Sequence, residues 1–320
     1  MDKISERKRG GLAWGSFIGD ALAMPVHWYY DRAALRRDYD VVRDYVAPRN
    51  PHPDSILGRS KYAPLNARGD ILGEQAQYWG RHGIHYHQFL HAGENTLNLQ
   101  LAKVLIDSLI ARGDYDADDY LQRYIEFMLT PGRHRDTYVE ECHRKFFTNY
   151  ARGAAPRTCG DKDICVGGLA HVGILCAFFG VDVKSARHAV REHIALTHRA
   201  PETLKAGDAL AKILCALPSG ADLRETIVSQ VGQRLSPACY IPNAFLASLY
   251  LAWKYADDFE AGVIANTNVG GENCHRGAVI GAMLGGTAGR NRLPTRFVEG
   301  IQDGPALHLR IDALLAARRT

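Results

Sequence analysis

Four different reactive side chains follow one another after a Gly-Gly pair, at Glu272, Asn273, Cys274 and His275. A carboxylate, an amide, a thiol and an imidazole placed together can ligate a metal ion, transfer protons or cap the following helix. Magnesium prefers carboxylate and water oxygens, so this mixture suits zinc or another transition ion better. A cysteine nucleophile with a histidine base is also possible, although adjacent side chains seldom point at one another. We expect Glu272, Cys274 and His275 to face a cleft, and Asn273 to shape the turn.

A second polar group surrounds the start of a predicted helix near residue 97. It consists of Glu94, Asn95, Thr96 and Asn98. Asn or Thr at this position is a common N-cap, but a cap needs only one of these residues. The others are therefore candidates to line a site. Histidines precede the group, and Gly93 interrupts the helix that would align His87 with His91, so we predict pocket lining by His85 and its neighbours rather than histidine ligation of a metal.

A third polar group lies where the apolar segment 10–24 ends, with Asp20 inside the segment and His27 and Trp28 just after it. A buried carboxylate needs a cation, a metal ion or several hydrogen-bond donors. We interpret Asp20 as a residue that orients a site. His27 is a candidate for acid–base chemistry, and Trp28 for substrate binding.

Helical periodicity predicts the elements that must position these groups. Small apolar residues over 10–24 predict a buried helix that ends before Pro25. Leucines and a valine recurring from residue 97 predict a helix that Gly113 closes. Further helices are predicted at about 116–129, 166–180, 184–196, 201–217, 222–232, 240–256, 258–266 and 277–289. Alternating strand patterns are nearly absent, which predicts an all-α, compact single-domain multi-helix bundle over 1–320, with a long loop-rich insertion at about 31–92.

Composition excludes several classes of protein. The chain has 320 residues, of which 46% are hydrophobic and 23% charged, as in a folded soluble protein. The net charge of +4 is scattered along the chain, so we expect no nucleic-acid partner. Seven cysteines without a C-x-x-C pair argue against a disulfide framework and favour a cytoplasmic location. We find no signal-peptide pattern and no apolar stretch long enough for a membrane span, so no membrane role is expected.

Five segments in order resemble the ADP-ribosylglycohydrolase family, which includes the dinitrogenase reductase-activating glycohydrolase, ADP-ribosyl-acceptor hydrolases and J1 crystallins. They are GLAWGSFIGDALAMPVHW, GENTLNLQLAKVL, ALTHRAPETLKAGDALA, DDFEAGVIANTNVGGENCHRGAVIGAMLGGTAG and LPTRFVEGI. The resemblance implies a bundle of helices with a cleft where these helix starts converge. It further implies two magnesium ions, held by aspartates of two motifs, that orient a ribose diol and a water attacking the anomeric carbon.

The departures from the family pattern fall on the metal-binding positions. Where the family has aspartates, this chain has Glu94, Asn95, Glu272 and Cys274. His27 takes the place of a glutamate in the first motif. Because these replacements roughly halve the negative charge, we do not expect two magnesium ions. The cofactor stays open between no metal and one divalent ion, for which the candidate ligands are Glu94, Thr96, Glu272, Cys274 and His275.

The resemblance favours a hydrolase that cleaves a ribosyl or ADP-ribosyl type glycosidic bond in a rebuilt, one-metal or metal-free site. The predicted catalytic residues are Glu94 or Glu272 as general base, His27 or His275 at the leaving group, and Cys274. The residues predicted to bind substrate are Asp20, Trp28, Asn95, Asn98, Asn268, Gly270, Gly271 and Asn273. Two alternatives stay open: an enzyme of another class acting on a small metabolite with Cys274 as nucleophile, and a non-catalytic binding protein.

Overall fold

The computed structural model describes residues 3–231 and 241–318, and its regular elements are helices. Within these residues the β-type pairing consists of one isolated bridge between Asp161 and His198. The α-helices are α1 Lys3–Ala23, α2 Arg32–Tyr39, α3 Leu97–Arg112, α4 Ala117–Leu129, α5 Glu141–Ala151, α6 Val172–Phe179, α7 Val183–Ala195, α8 Pro201–Ala216, α9 Leu223–Val231, α10 Ile241–Lys254, α11 Phe259–Val269, α12 Asn273–Ala288, α13 Thr295–Gly300 and α14 Gly304–Ala317. The predicted all-α fold class is confirmed.

Helices α1 and α12 form the centre of the molecule and pack against each other along two rows of glycines. A Cβ atom on Gly15 would lie 1.8 Å from the carbonyl oxygen of Gly281, and one on Gly281 would lie 1.9 Å from that of Gly15. The same reciprocal contact recurs at four-residue spacing, between Gly11 and Gly285 and between Gly19 and Gly277. Because the partners run in opposite directions, the end of α1 meets the start of α12.

Other helices surround this central pair. Helices α6, α11 and α14 pack against α1, while α7 packs on α8, and α3 packs on α4 and α14. Phe17 of α1, Leu105 of α3 and Phe178 of α6 are fully buried in the shared core. Among the described helices, none combines the length and the apolar character that a bilayer crossing needs.

The chain between α2 and α3 folds over the end of α1 in short 3₁₀ turns at Leu57–Arg59, Ala67–Gly69 and Gly73–Tyr78. Two buried histidines fasten it there. His52 Nε2 lies 3.0 Å from the carbonyl oxygen of His27, and His85 Nε2 lies 3.0 Å from that of Pro25. The segment therefore forms one wall beside the polar cluster, and its boundaries as an insertion stay a prediction.

The helices differ from the sequence predictions in a few places. Helix α1 ends at Ala23, before Pro25 as predicted, but it begins at Lys3 rather than at residue 10, and a 3₁₀ helix follows at Met24–Val26. The predicted helix 166–180 divides into a 3₁₀ turn at Val166–Leu169 and α6. Helices α2, α5, α13 and α14 were not predicted. The predicted helix ends at 232 and 240, together with Cys239, lie outside the described residues.

Candidate functional site

The end of α1 and the starts of α3 and α12 meet at a cluster of buried polar side chains. Asp20 is fully buried in α1. Its Oδ1 accepts a hydrogen bond from Thr96 Oγ1 at 2.6 Å, and its Oδ2 accepts from the Thr96 N–H and from Asn95 Nδ2, each at 2.9 Å. Asp20 therefore fastens the start of α3 to α1, which agrees with an orienting role.

Glu272, directly before α12, is surrounded by three nitrogen groups. Its Oε1 lies 3.1 Å from His27 Nε2 and 2.5 Å from His275 Nδ1. Its Oε2 accepts a hydrogen bond of 2.5 Å from Trp28 Nε1. The Glu272 side chain is 20% exposed, so the carboxylate is held by the protein on one side and faces solvent on the other.

Trp28 has a backbone φ of 62°, which non-glycine residues seldom adopt. Its N–H donates to the carbonyl oxygen of Gly271 at 2.8 Å, and the Gly271 N–H donates to that of Tyr29 at 2.6 Å. Gly270 allows this close pairing, because a Cβ atom there would lie 2.3 Å from the Tyr29 oxygen. The indole stacks on the His27 ring at 3.8 Å between centroids. Strain of this kind concentrates at functional sites, and here it fixes the indole position.

A second carboxylate comes from Glu140, directly before α5. Its Oε1 lies 3.5 Å from His275 Nδ1, the nitrogen that also contacts Glu272. Its Oε2 lies 2.7 Å from Asn98 Nδ2, and Asn98 Nδ2 lies 2.5 Å from His275 Nε2. His275 therefore sits between two carboxylates. The sequence predictions missed Glu140, although the run Glu-Glu-Cys-His at 140–143 mixes the same reactive types as 272–275 and was an available signal.

The pKa values of these groups are displaced in different directions. Burial would lower the pKa of His275, but the carboxylates of Glu140 and Glu272 raise it to about 10. Burial would raise the pKa of Glu272, but the positive charge of His275 and the hydrogen bonds from His27 and His275 hold it well below its usual range. Burial raises the pKa of Glu140 to about 7. At neutral pH the site thus combines an ionised Glu272 with a Glu140 poised to exchange a proton.

A chain of polar contacts leads from Glu272 into the protein. His27 Nδ1 lies 2.8 Å from His87 Nε2, and His87 Nδ1 contacts the carboxylate of Asp136. All three inner side chains are buried. Burial lowers the pKa of His27 and of His87 to about 3, and burial raises the pKa of Asp136 to about 7. Both imidazoles are therefore neutral near pH 7. The sequence predictions did not include Asp136.

Glu140 and Glu272 line a cavity of about 530 Å³. Aromatic rings form part of its wall: Trp28 lies 4.7 Å from Tyr86 and 5.1 Å from Tyr138 between centroids, nearly perpendicular to both. Exposed Arg59 and Lys162 also line it. This volume is typical of small-molecule sites. A cavity of about 750 Å³ between α2 and α11 contains none of the carboxylates and histidines described above.

Of the predicted catalytic residues, Glu272 lines this cavity and His27 and His275 contact Glu272, whereas Glu94 and Cys274 make other contacts. Glu94 is 9% exposed, and its Oε2 accepts hydrogen bonds from Arg135 at 2.5 Å and from the His91 N–H at 2.9 Å. Cys274 is fully buried among apolar neighbours, and burial raises the pKa of its thiol well above the usual range. Neither side chain is among those that line the 530 Å³ cavity.

Two residues that were predicted to bind substrate, Asn268 and Asn273, form hydrogen bonds with main-chain groups of the protein. Asn268 accepts from the Val42 N–H at 2.9 Å and donates to the Val42 carbonyl at 2.8 Å. Asn273 Nδ2 donates to the carbonyl oxygens of Val26 and Thr267, each at 3.1 Å. Asn273 therefore shapes the turn before α12, while Asn268 anchors the segment that follows α2.

The donors do not fit the two magnesium ions that the family resemblance implies. Magnesium requires an octahedral shell of oxygen atoms. Glu94 is paired with Arg135, both oxygens of Glu272 contact nitrogen groups, and Cys274 supplies sulfur. Asn95 offers one neutral amide oxygen. Ligand atoms within 4.8 Å of one another occur among the described residues in four groups: His27 with His87 and Cys274, His27 with Glu272 and His275, Glu140 with Cys142 and His143, and Cys142 with Asp163 and His198.

Comparison with known proteins places this chain in a family. The model of the ADP-ribosylglycohydrolase family matches residues 1–320, and the chain belongs to that family. A solved structure described as an ADP-ribosylglycohydrolase-related protein complex is similar with a TM-score of 0.71 and 20% identity, covering 99% of this chain and 100% of that chain. At this identity the likeness shows the fold. No curated protein gives a significant match. Family membership supports a glycohydrolase type of function in general.

Proposed function

We propose that this protein hydrolyses a ribosyl or ADP-ribosyl type glycosidic bond in the cavity lined by Glu140 and Glu272. One observation supports this most directly: two carboxylates with opposite pKa displacements contact the same imidazolium, His275. Glycoside hydrolysis needs a protonated acid at the leaving group and an ionised carboxylate near the anomeric carbon. The two glutamates supply one group of each kind near pH 7.

The roles follow from the protonation states. Glu140 donates its proton to the leaving atom while the bond from that atom to the anomeric carbon breaks. Glu272, whose pKa is held low, is a weak base and stabilises the positive charge on the anomeric carbon instead. Water then adds to this carbon and gives a proton to Glu140, which restores both carboxyl groups. His275 keeps Glu272 ionised, and Trp28 fixes the direction of its second oxygen.

The cavity walls support a nucleotide-like substrate. Trp28, Tyr86 and Tyr138 present aromatic surface on which a sugar or a base can pack. Arg59 and Lys162 can contact phosphate oxygens at the same cavity. A small molecule or an ADP-ribosylated peptide is therefore the proposed substrate class, and the proposed location of the activity is the cytoplasm.

Charge-removing variants of the two glutamates test the mechanism. On an ADP-ribosylated peptide, Glu272→Gln and Glu140→Gln should each lower kcat/KM by at least about a hundredfold. On a nitrophenyl ribofuranoside, whose leaving group needs little protonation, Glu140→Gln should lose far less activity than Glu272→Gln. Circular dichroism checks that each variant is folded.

Two further variants serve as controls. Glu192→Gln changes a glutamate that is paired with Arg157 and does not line the cavity, and should retain activity within about threefold. Glu94→Gln separates the sequence-based assignment from the present one, because a catalytic Glu94 would make this variant as inactive as Glu272→Gln. Full activity of both Glu140→Gln and Glu272→Gln would rule out the mechanism.

The alternative with Cys274 as a nucleophile receives less support. Thiolate is the reactive form, and burial holds the pKa of this thiol high in an apolar setting. A binding protein without turnover stays a prediction. It would be favoured if an ADP-ribosyl ligand bound in calorimetry while no ribosyl substrate was hydrolysed.

A further inference from the structure

Three side chains that can bind a transition metal meet behind the cavity. Ring nitrogens of His27 and His87 and the sulfur of Cys274 lie within 4.8 Å of one another, and all three residues are buried. Two imidazoles and a thiol are a donor set that zinc, cobalt and similar ions prefer and that magnesium does not. The three residues come from separate parts of the chain, so the fold brings this set together.

Each imidazole is also oriented by a carboxylate on its far side. His27 Nε2 lies 3.1 Å from Glu272 Oε1, and His87 Nδ1 contacts Asp136. Histidines that ligate metals usually donate their second N–H to a carboxylate, which fixes the ring and increases its basicity. With both far nitrogens donating, His27 Nδ1 and His87 Nε2 present their lone pairs toward each other.

When both flanking carboxylates are ionised, the contact between these two nitrogens needs either a third proton or a cation. The three contacts along Glu272, His27, His87 and Asp136 require three protons. Two neutral imidazoles provide only two, so with both carboxylates ionised the nitrogens 2.8 Å apart would repel each other. A third proton would turn this contact into a hydrogen bond. A metal ion between the two lone pairs can take its place.

We propose that His27, His87 and Cys274 bind one thiophilic divalent ion of the zinc type. Zinc–nitrogen distances of about 2.0–2.1 Å in a tetrahedron place two nitrogens roughly 3.3 Å apart, so binding would widen the present contact by about half an ångström. A void of about 10 Å³, lined by His27, His87 and His143 among others, is just large enough for one water as fourth ligand. None of the three ligands is assigned a chemical step in the proposed hydrolysis, and His27 adjoins that site through its contact with Glu272.

Cobalt substitution tests the site without an activity assay. The purified full-length protein is treated with a chelator, dialysed and titrated with Co²⁺ alone. One equivalent should bind and give visible bands of tetrahedral cobalt together with a near-ultraviolet sulfur-to-cobalt band. Zn²⁺ should displace the cobalt and raise Tm. If the wild-type protein shows neither the sulfur-to-cobalt band nor stoichiometric binding, the site does not exist.

Variants identify the ligands. Cys274→Ser should abolish the sulfur-to-cobalt band, while His87→Ala should keep the band but weaken cobalt binding at least about tenfold. Should Cys274→Ser fail to fold, the wild-type titration and His87→Ala still decide the matter. A His87→Ala protein with unchanged affinity would overturn the assignment.

Two matched variants exclude other sites. Cys165→Ser removes an exposed thiol, and Cys142→Ser removes the thiol of a different group, formed with Asp163 and His198. Both proteins should keep the band. Its loss in either one would assign the metal to that thiol and overturn the proposal. Loss of binding in His275→Asn with retention in His87→Ala would instead place the ion on His27, Glu272 and His275.

Discussion

At the residue scale, the pKa of Glu140 determines how activity should depend on pH. Burial raises this pKa to about 7, and the acid must be protonated to act. The protonated fraction falls as pH rises above 7, so kcat/KM on an ADP-ribosylated peptide should fall about tenfold per pH unit above that value. Glu272 stays ionised well below pH 7, so it sets no limit in the neutral range. Initial rates from pH 5 to 9 check this expectation.

The matched measurement uses the nitrophenyl ribofuranoside, whose leaving group needs little help from an acid. The decline above pH 7 should be much shallower with this compound. A kcat/KM that stays level from pH 6 to 9 on the peptide substrate would contradict the assignment of Glu140 as the acid.

The sequence located some members of this site and could not locate others. Glu272, His275, His27 and Trp28 were predicted from reactive types clustered beside helix ends, and the structure brings these four together. Glu140 was missed although the run at 140–143 carries the same reactive types, and its contact with His275 joins residues that are far apart in the sequence, which no local pattern encodes. A shared catalytic role for Glu94 and Glu272 stays a prediction. The ion pair between Glu94 and Arg135 does not favour it, because it engages the Glu94 carboxylate.

At the element scale, the glycine rows between α1 and α12 set the position of the whole site. Gly15→Ala should reduce the free energy of unfolding by at least about 2 kcal/mol, because its Cβ atom would lie 1.8 Å from a backbone carbonyl oxygen that cannot rotate away. Gly10→Ala is the control on the same helix. There the Cβ atom would lie 2.9 Å from Cδ of Arg290, a flexible side chain, so the change should stay within about 1 kcal/mol.

Urea unfolding followed by circular dichroism measures both variants. If Gly15→Ala and the wild-type protein had the same free energy of unfolding, α1 and α12 could move apart to admit the methyl group without loss of stability, which would contradict the prediction. Because Asp20 and Glu272 lie at adjoining ends of this pair, Gly15→Ala should also weaken binding of an ADP-ribosyl ligand, whereas Gly10→Ala should not.

Most helices with strong local patterns were predicted, and the helices that were missed include one weak pattern, α5, and one clear pattern, α14. The apolar runs of α1 and α12 predict buried helices, because a helix that is apolar on all sides must be surrounded by protein. Helix α5 begins with polar residues and becomes helical through its buried Phe146 and Phe147, which pack on distant parts of the chain. Helix α14 carries buried apolar residues at helical spacing, at Leu307, Ile311 and Leu314, so its sequence does encode the helix.

At the scale of the whole molecule, the site is the end of a wider buried polar network. His171 Nε2 lies 2.6 Å from the carbonyl oxygen of Asn98, and His171 Nδ1 lies 2.8 Å from His193 Nε2. His193 Nδ1 in turn lies 3.2 Å from the Tyr115 hydroxyl. Such chains satisfy buried polar atoms only in one protonation pattern, which ties the stability of the fold to pH.

This dependence predicts unfolding in mild acid. Burial lowers the pKa of eight described histidines, which are His27, His52, His85, His87, His143, His171, His193 and His198. Unfolded histidines bind protons near pH 6.5, while the folded ones stay neutral. Their contribution is therefore complete above about pH 6.5 and is lost as pH falls toward 4, by up to about 1.4 kcal/mol per pH unit for each residue.

Three carboxyl groups oppose this loss without reversing it, and burial raises the pKa of one of them, Asp20, as well. Asp136 and Glu140 have folded pKa values raised to about 7, so they stabilise the folded state as pH falls below 7. They are outnumbered, and we expect the free energy of unfolding from urea titrations to decline steeply between pH 6.5 and 5, with uptake of several protons on unfolding. His308→Gln, which changes an exposed histidine, should leave the slope unchanged, whereas His171→Gln should make it shallower. Equal stability at pH 7 and pH 5 would show that these imidazoles are not held neutral by the fold.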